Sequence, residues 1–242
     1  MIRVYLSPHL DDAVYSCGGL ISRQVGQGDA VLVITVCAGD PPGPLSTFAR
    51  ELHARWKLDR DPVAHRRQED IAACAALGAE PIHGTIPDAV YRLDEEGTPY
   101  YPDEAAIFGG LCQQEERLVA GLAAWLDVHI DSDAVLYVPL GLGGHVDHIL
   151  VRKAGERLRN AIYYPDYPYA GQGARLPQGT AMPGGRVEAI QLTPLEIRDW
   201  VQGALCYTSQ VSTFWSSPAA MEAAFRDYHE KAGGLRLHHS SP

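Results

Sequence analysis

The sequence contains no apolar run approaching the about 18 residues that a membrane-spanning helix needs, so membrane insertion is not among its expected roles. It also lacks a basic surplus: 20 Lys and Arg stand against 30 Asp and Glu, for a net charge of −10 at pH 7. Neutralising nucleic-acid phosphates demands a basic face, so nucleic acid is disfavoured as a partner and a small, uncharged or weakly charged substrate is favoured. Cysteine is sparse and unpatterned. The five thiols, Cys17, Cys37, Cys74, Cys112 and Cys206, are odd in number and form no C-x-x-C pair. That fits buried reduced thiols better than a disulfide frame or a structural zinc knot. The opening Met1-Ile2-Arg3-Val4-Tyr5-Leu6 lacks the basic head and apolar stretch of a signal peptide, and a cytoplasmic location is expected.

What is present is ordinary globular composition, 46% hydrophobic and 21% charged, in 242 residues. An α/β fold reaches this length as one unit, so a single domain over residues 1–242 is expected. Candidate strands at Ile2–Leu6, Ala30–Val36, Ile82–Ile86 and Ala134–Pro139 alternate with candidate helices at Asp12–Gln27, Pro62–Leu77, Glu104–Leu126 and Val146–Leu158. The nearly all-apolar second strand fits a parallel sheet covered on both faces, which predicts a Rossmann-like, mostly parallel sheet with helices on either side. Gly39–Asp61, rich in proline at its start, reads as a long loop with a helical turn, and Asp88–Pro102 and Ala170–Gly185 read as loops. The last third yields a short strand at Ala189–Leu192 and helices at Pro194–Cys206 and Pro218–His229.

Ligands of such sheets bind beyond the carboxyl ends of the strands. Directly after the first strand comes Ser7-Pro8-His9-Leu10-Asp11-Asp12, and after the fourth comes Gly143-Gly144-His145-Val146-Asp147-His148. Parallel strands bring both clusters to one edge. A hydrolytic zinc site takes three protein ligands from histidine and carboxylate and leaves a position for water, and His9, Asp12 and His148 can supply them. Asp11 then suits the general base, His145 the donor to a developing oxyanion, and Asp147 the carboxylate that orients His145. Taken singly, an Asp-Asp pair after a strand is an ordinary helix N-cap and H-x-D-H an ordinary helix start. Their coincidence on one edge favours the metal site. Ferrous iron accepts the same donors as zinc.

These two clusters, His9-Leu10-Asp11-Asp12 and His145-Val146-Asp147-His148, resemble the signature of the LmbE-like (PIG-L) N-deacetylases over roughly Val4 to Ala161. The resemblance implies a Rossmann-like fold, a catalytic zinc and removal of an N-acetyl group from a glucosamine-containing small molecule. It implies His9, Asp12 and His148 as ligands, Asp11 as base, and His145 with Asp147 as the transition-state pair. Arg66 of Arg66-Arg67-Gln68-Glu69 matches the family's substrate-facing arginine, and Pro87-Asp88 resembles its element near the sugar, which makes Asp88 a second substrate-binding candidate. Leu10 stands in place of the usual proline, Ala13 in place of a frequent glutamate, and Ala89 where glycine is common.

The alternatives to a deacetylase are an amidase acting on a thiol conjugate or antibiotic amide, a non-catalytic sugar- or metal-binding module, and a phosphoesterase, which usually needs two metals and more carboxylates. Tyr163–Tyr169 reads as a packed β-edge in preference to a sugar-stacking wall. His238 and His239 read as disordered, and His53, His65, His83, His129 and His229 receive no role. A homo-oligomer is compatible with the sequence.

Overall fold

The computed structural model describes residues 1–58, 61–158 and 161–240. Four parallel pairings build the central sheet from β1 (Ile2–Ser7), β2 (Ala30–Thr35), β3 (Glu80–His83), β4 (Val135–Pro139) and β5 (Ala161–Tyr164). Two further strands, β6 (Val187–Ile190) and β7 (Leu235–His239), close one side antiparallel, giving the order β3-β2-β1-β4-β5-β7-β6. The apolar character of β1 and β2 is explained by burial on both faces. Tyr5 belongs to one apolar cluster with Leu20 and Ile21 of α1 (Asp12–Gly26), Cys74 and Leu77 of α3 (Pro62–Leu77) and Trp200 of α7 (Pro194–Leu205). Its neighbours Val4 and Leu6 point the other way, onto Leu122 and Leu126 of α5 (Glu116–His129) and Leu150 of α6 (Val146–Gly155).

Because β1 pairs with β2 on one side and β4 on the other, the direction of winding reverses between β1 and β4. A crevice opens at such a switch point, and both sequence clusters begin at it.

Several expectations are corrected. Gly39–Asp61 contains a ten-residue helix, α2 (Thr47–Trp56), capped by Ser46 Oγ accepting from the Ala49 N–H at 3.0 Å. Phe48, Ala49, Leu52 and Trp56 bury one helical face in a third apolar cluster, over the carboxyl edge of the sheet. The prolines just upstream mask this period in the sequence. The predicted helix Glu104–Leu126 is two, α4 (Glu104–Ile107) and α5, divided at Gly109-Gly110, where Gly110 takes φ 105°. β3 ends at His83 because the chain turns inward at Gly84, whose N–H donates to Thr35 O at 2.7 Å; a Cβ there would lie 2.5 Å from Val36 O. His238 and His239 belong to β7, whose alternate residues Leu235 and Leu237 are buried. The remaining helices are α8 (Thr208–Phe214), absent from the sequence reading, and α9 (Pro218–Ala232).

Candidate metal and catalytic site

The turn after β1 is fixed by Ser7, whose hydroxyl donates to His9 O at 2.6 Å and accepts from the Ala13 N–H at 3.0 Å. Asp12 folds back to accept from the His9 N–H at 2.8 Å. Asp11 occupies the N-cap position of α1, yet its side chain makes no capping hydrogen bond. The helix-cap reading of the Asp11-Asp12 pair therefore fails for Asp11, and its carboxylate is free to face the crevice.

After β4 the chain passes Gly143 and Gly144, both at positive φ, before His145 starts α6. This brings the two clusters into contact. Asp12 Oδ2 lies 3.1 Å from His9 Nδ1 and 3.3 Å from His148 Nε2. The rings of His9 and His145 are centred 4.8 Å apart, and those of His9 and His148 5.3 Å. Donor atoms of His9, His145 and His148 fall within 4.8 Å of one another, as do those of His9, Asp88 and Asp147. His9 thus belongs to two overlapping groups that could hold a cation.

His148 gives the sharpest test of fit. Its Nδ1 is hydrogen-bonded to Asp166 Oδ1 at 2.6 Å, while its Nε2 is buried and has no hydrogen-bond partner. An imidazole fixed by a carboxylate on one nitrogen, with the other nitrogen unpartnered beside Asp12, is the donor arrangement of a metal-binding histidine. The residues present fit a divalent cation.

Electrostatics separate the two adjacent aspartates. Burial, reinforced by the charge of Asp12, pushes the Asp11 carboxyl up to about 7, against the pull of Arg66 and His9. Burial acts on Asp12 as well, but His148 and His9 override it and hold Asp12 well below the usual carboxylate range. Burial and the neighbouring His9 push the His145 imidazole well below its ordinary value. Its Nδ1 accepts from the Asp147 N–H at 3.2 Å, which assigns the proton of a neutral ring to Nε2.

One expected contact is replaced. The Asp147 carboxylate does not bond to the His145 ring; it accepts from Arg92 Nη1 at 2.5 Å, from the Ala89 N–H at 2.9 Å and pairs with His9 Nε2 at 2.9 Å. His145, as the N-cap of α6, turns its ring to the backbone two residues on and leaves the carboxylate to the interior. Arg92 also pairs with Glu115 at 2.6 Å, and Glu115 accepts from the Tyr101 hydroxyl at 2.5 Å.

The substrate-binding candidates both border the crevice, a cavity of about 330 Å³. The Arg66 guanidinium lies 3.5 Å from Asp11 and 4.8 Å over the ring of Trp56. Asp88 Oδ1 accepts from the Val90 N–H at 3.2 Å, and its Oδ2 is 3.7 Å from His9 Nε2. Phe48, Leu52 and Trp56 of α2, Tyr169, and Gln210 and Phe214 of α8 contribute to its walls. Tyr169 thus takes the place on the cavity wall that the packed-edge reading denied the tyrosine-rich segment, while Tyr163 and Tyr164 lie in β5.

The glutamate of the Arg66–Glu69 segment has a different task from its arginine. Glu69 accepts from Thr208 Oγ1 (2.7 Å), the Ser209 N–H (2.8 Å) and Ser209 Oγ (2.6 Å), and Asp70 accepts from the Tyr207 hydroxyl at 2.6 Å. These bonds seat α8 against the cavity. Sequence reasoning missed Asp166, Arg92 and α8. Asp166 was within reach, since it follows β5 as the other carboxylates follow β1 and β4; Arg92 and Glu115 carry no local signal.

The model of the PIG-L family, described as GlcNAc-PI de-N-acetylase, matches residues 4–158. The chain is 32% identical over 184 residues to the 2'-N-acetylparomamine deacetylase of Niallia circulans, covering 69% of this chain and 66% of that protein. It is 34% identical over 177 residues to the enzyme of the same name from Streptomyces fradiae, covering 69% and 57%. The alignments therefore span less than two thirds of these curated relatives. Among solved structures, the zinc-inhibited form of teicoplanin deacetylase superposes with a TM-score of 0.82 at 26% identity, covering 100% of this chain and 99% of that one.

Proposed function

The chain belongs to the PIG-L family, and on that premise we propose that it is a metal-dependent N-deacetylase that removes the acetyl group from an N-acetylglucosamine-containing small molecule or glycan precursor. The names of its relatives, paromamine and teicoplanin deacetylases, support an amino sugar carried on a larger scaffold as the substrate class. We take residues 1–242 as one catalytic unit acting in the cytoplasm. Among the described residues no helix is long and apolar enough to cross a membrane.

His9, Asp12 and His148 are the proposed ligands of a divalent cation, zinc in this reading, with ferrous iron accepted by the same donors. When bound, the cation supplies Lewis acidity toward an amide carbonyl and lowers the pKa of water. Asp11 takes a proton from the attacking water, a role supported by its uncapped, buried carboxyl near neutrality. The water oxygen bonds to the acetyl carbonyl carbon, and the π electrons move to the carbonyl oxygen. His145 donates its Nε2–H to that oxyanion as a neutral imidazole. Collapse breaks the C–N bond, the protonated Asp11 returns its proton to the departing nitrogen, and acetate and a free amine leave. Arg66 and Asp88 orient the sugar from the cavity wall.

The observation that carries this reading is the division between neighbouring aspartates. Asp12 sits between two imidazoles, while Asp11 reaches neither ring and faces Arg66. The test is metal content together with acetate release from a panel of N-acetylglucosamine compounds. One metal per chain with chelator-sensitive release is the expected result. Bound metal without acetate would move the assignment to another amide, and failure to bind metal on reconstitution would remove it.

A further inference from the structure

Tyr15 stands one helical turn beyond Asp11 and Asp12 in α1, at spacings of four and three, so its side chain lies on their face of the helix. The residue is 1% exposed. Its ring is held edge-on by Trp215 at 5.3 Å, Tyr207 at 5.4 Å and Phe225 at 6.2 Å. Those contacts explain an aromatic ring and give no reason for a hydroxyl.

Buried tyrosine hydroxyls ordinarily find a partner. Tyr5, Tyr164 and Tyr207, equally buried, donate to Gln24 Oε1 (2.8 Å), Leu6 O (2.6 Å) and Asp70 Oδ1 (2.6 Å). The Tyr15 hydroxyl has none. It borders the same cavity as Asp11, Arg66 and Gln210, and the Nε of Arg66 is likewise buried without a partner. Gln210 donates its side-chain amide to Ser209 Oγ at 3.0 Å, leaving its carbonyl oxygen as the group offered to a ligand. A hydroxyl that both gives and accepts, a guanidinium donor and an amide acceptor make a set suited to adjacent hydroxyls of a sugar. The exposed ring of Phe214 supplies apolar surface for its C–H face.

Resting on the deacetylase reading, we propose that Tyr15, with Gln210, is a specificity-determining residue: its hydroxyl hydrogen-bonds a ring hydroxyl of the substrate sugar near the acetamido-bearing carbon. A site built to bond a hydroxyl discriminates against the analogue that lacks it, because its own polar groups are then left unpaired.

The experiment compares wild type with Tyr15→Phe, both metal-loaded. Melting, binding by calorimetry and acetate release are measured with methyl N-acetylglucosaminide and its singly deoxygenated ring analogues. The variant should melt no lower than wild type, since no partner within the fold is lost. For the parent glycoside kcat/KM should fall roughly tenfold, the worth of about one net hydrogen bond. For one deoxy analogue the two proteins should coincide. A lowered melting temperature, unchanged kinetics, or a loss of the same size on every analogue would overturn the proposal. If wild type binds the glycosides with this pattern but releases no acetate, the deacetylase reading falls and the subsite stands; if it neither binds nor cleaves them, both fall.

Discussion

Asp166 holds Nδ1 of His148 at 2.6 Å with one carboxylate oxygen, and its other oxygen accepts from the Leu142 N–H at 2.9 Å. The end of β5 thereby fixes the tautomer and direction of His148, a proposed ligand carried by the helix that follows β4. Outer carboxylates of this kind govern metal affinity. Asp166→Asn should weaken cation binding by about 10–100-fold in a chelator competition. Unchanged affinity would mean that His148 does not bind the metal through Nε2.

The Asp11 side chain makes no capping hydrogen bond to its helix and lies outside the proposed ligand set. Asp11→Ala should therefore retain metal content while turnover drops by about 10²–10⁴, the usual worth of general acid–base catalysis. Metal analysis and a rate on the same preparation check both halves, and full activity would remove Asp11 from the mechanism.

Arg92 joins Asp147, which is 0% exposed, to Glu115, which is 3% exposed. Arg92→Leu takes the shared guanidinium from two buried carboxylates, leaving Glu115 with the Tyr101 hydroxyl and Asp147 with His9 and the Ala89 N–H, and should cost about 3 kcal/mol in urea unfolding. Lysine should not substitute fully, because a single ammonium lacks the planar fork that reaches both acids.

Glu69 seats α8 by accepting three hydrogen bonds from Thr208 and Ser209. Glu69→Gln removes the charge behind those bonds and replaces one acceptor by a donor. A loss of about 2 kcal/mol in stability is expected. KM should rise with it, since Gln210 and Phe214 ride on the same helix; an unchanged KM would separate α8 from substrate binding.

Glu196 offers a pH test far from the cavity. Its hydrogen bond to Arg23 lowers it from 4.5 to about 2, with help from Thr193 and against slight burial. A carboxyl lowered in the fold stabilises above its unfolded value and loses that stabilisation as pH falls through the folded one. The contribution should thus be complete above pH 4.5 and disappear toward about pH 2. Because the pair sits at the surface, only partly buried, solvent screening keeps it to about 1 kcal/mol. In Glu196→Gln the pH dependence of melting across that window should be shallower, and a slope identical to wild type would refute the assignment.

The histidine and aspartate clusters were legible because each lies in the turn between a strand and the helix that follows it. Once β1 and β4 are parallel neighbours, no further information is needed to bring His9, Asp12 and His148 together. The same rule, applied to Tyr164-Pro165-Asp166, would have found Asp166; the prolines there suggested an interrupted edge instead. α2 was hidden differently. Its apolar spacing from Phe48 to Trp56 is regular, but four residues of proline and glycine stand just before it and dominate a short window.

By itself the sequence determined the alternation of strands and helices, the parallel core of the sheet and the meeting of the histidine and aspartate clusters at its carboxyl edge, because apolar period and strand-end position are local properties. Only the tertiary structure decided which partners those groups take. The Asp147 carboxylate turned to Arg92 and His9 in place of His145, Glu69 was assigned to α8, and the Tyr15 hydroxyl was left unpaired at the cavity. Such choices depend on the charge, burial and geometry of segments 50 to 140 residues away, and no local pattern encodes them.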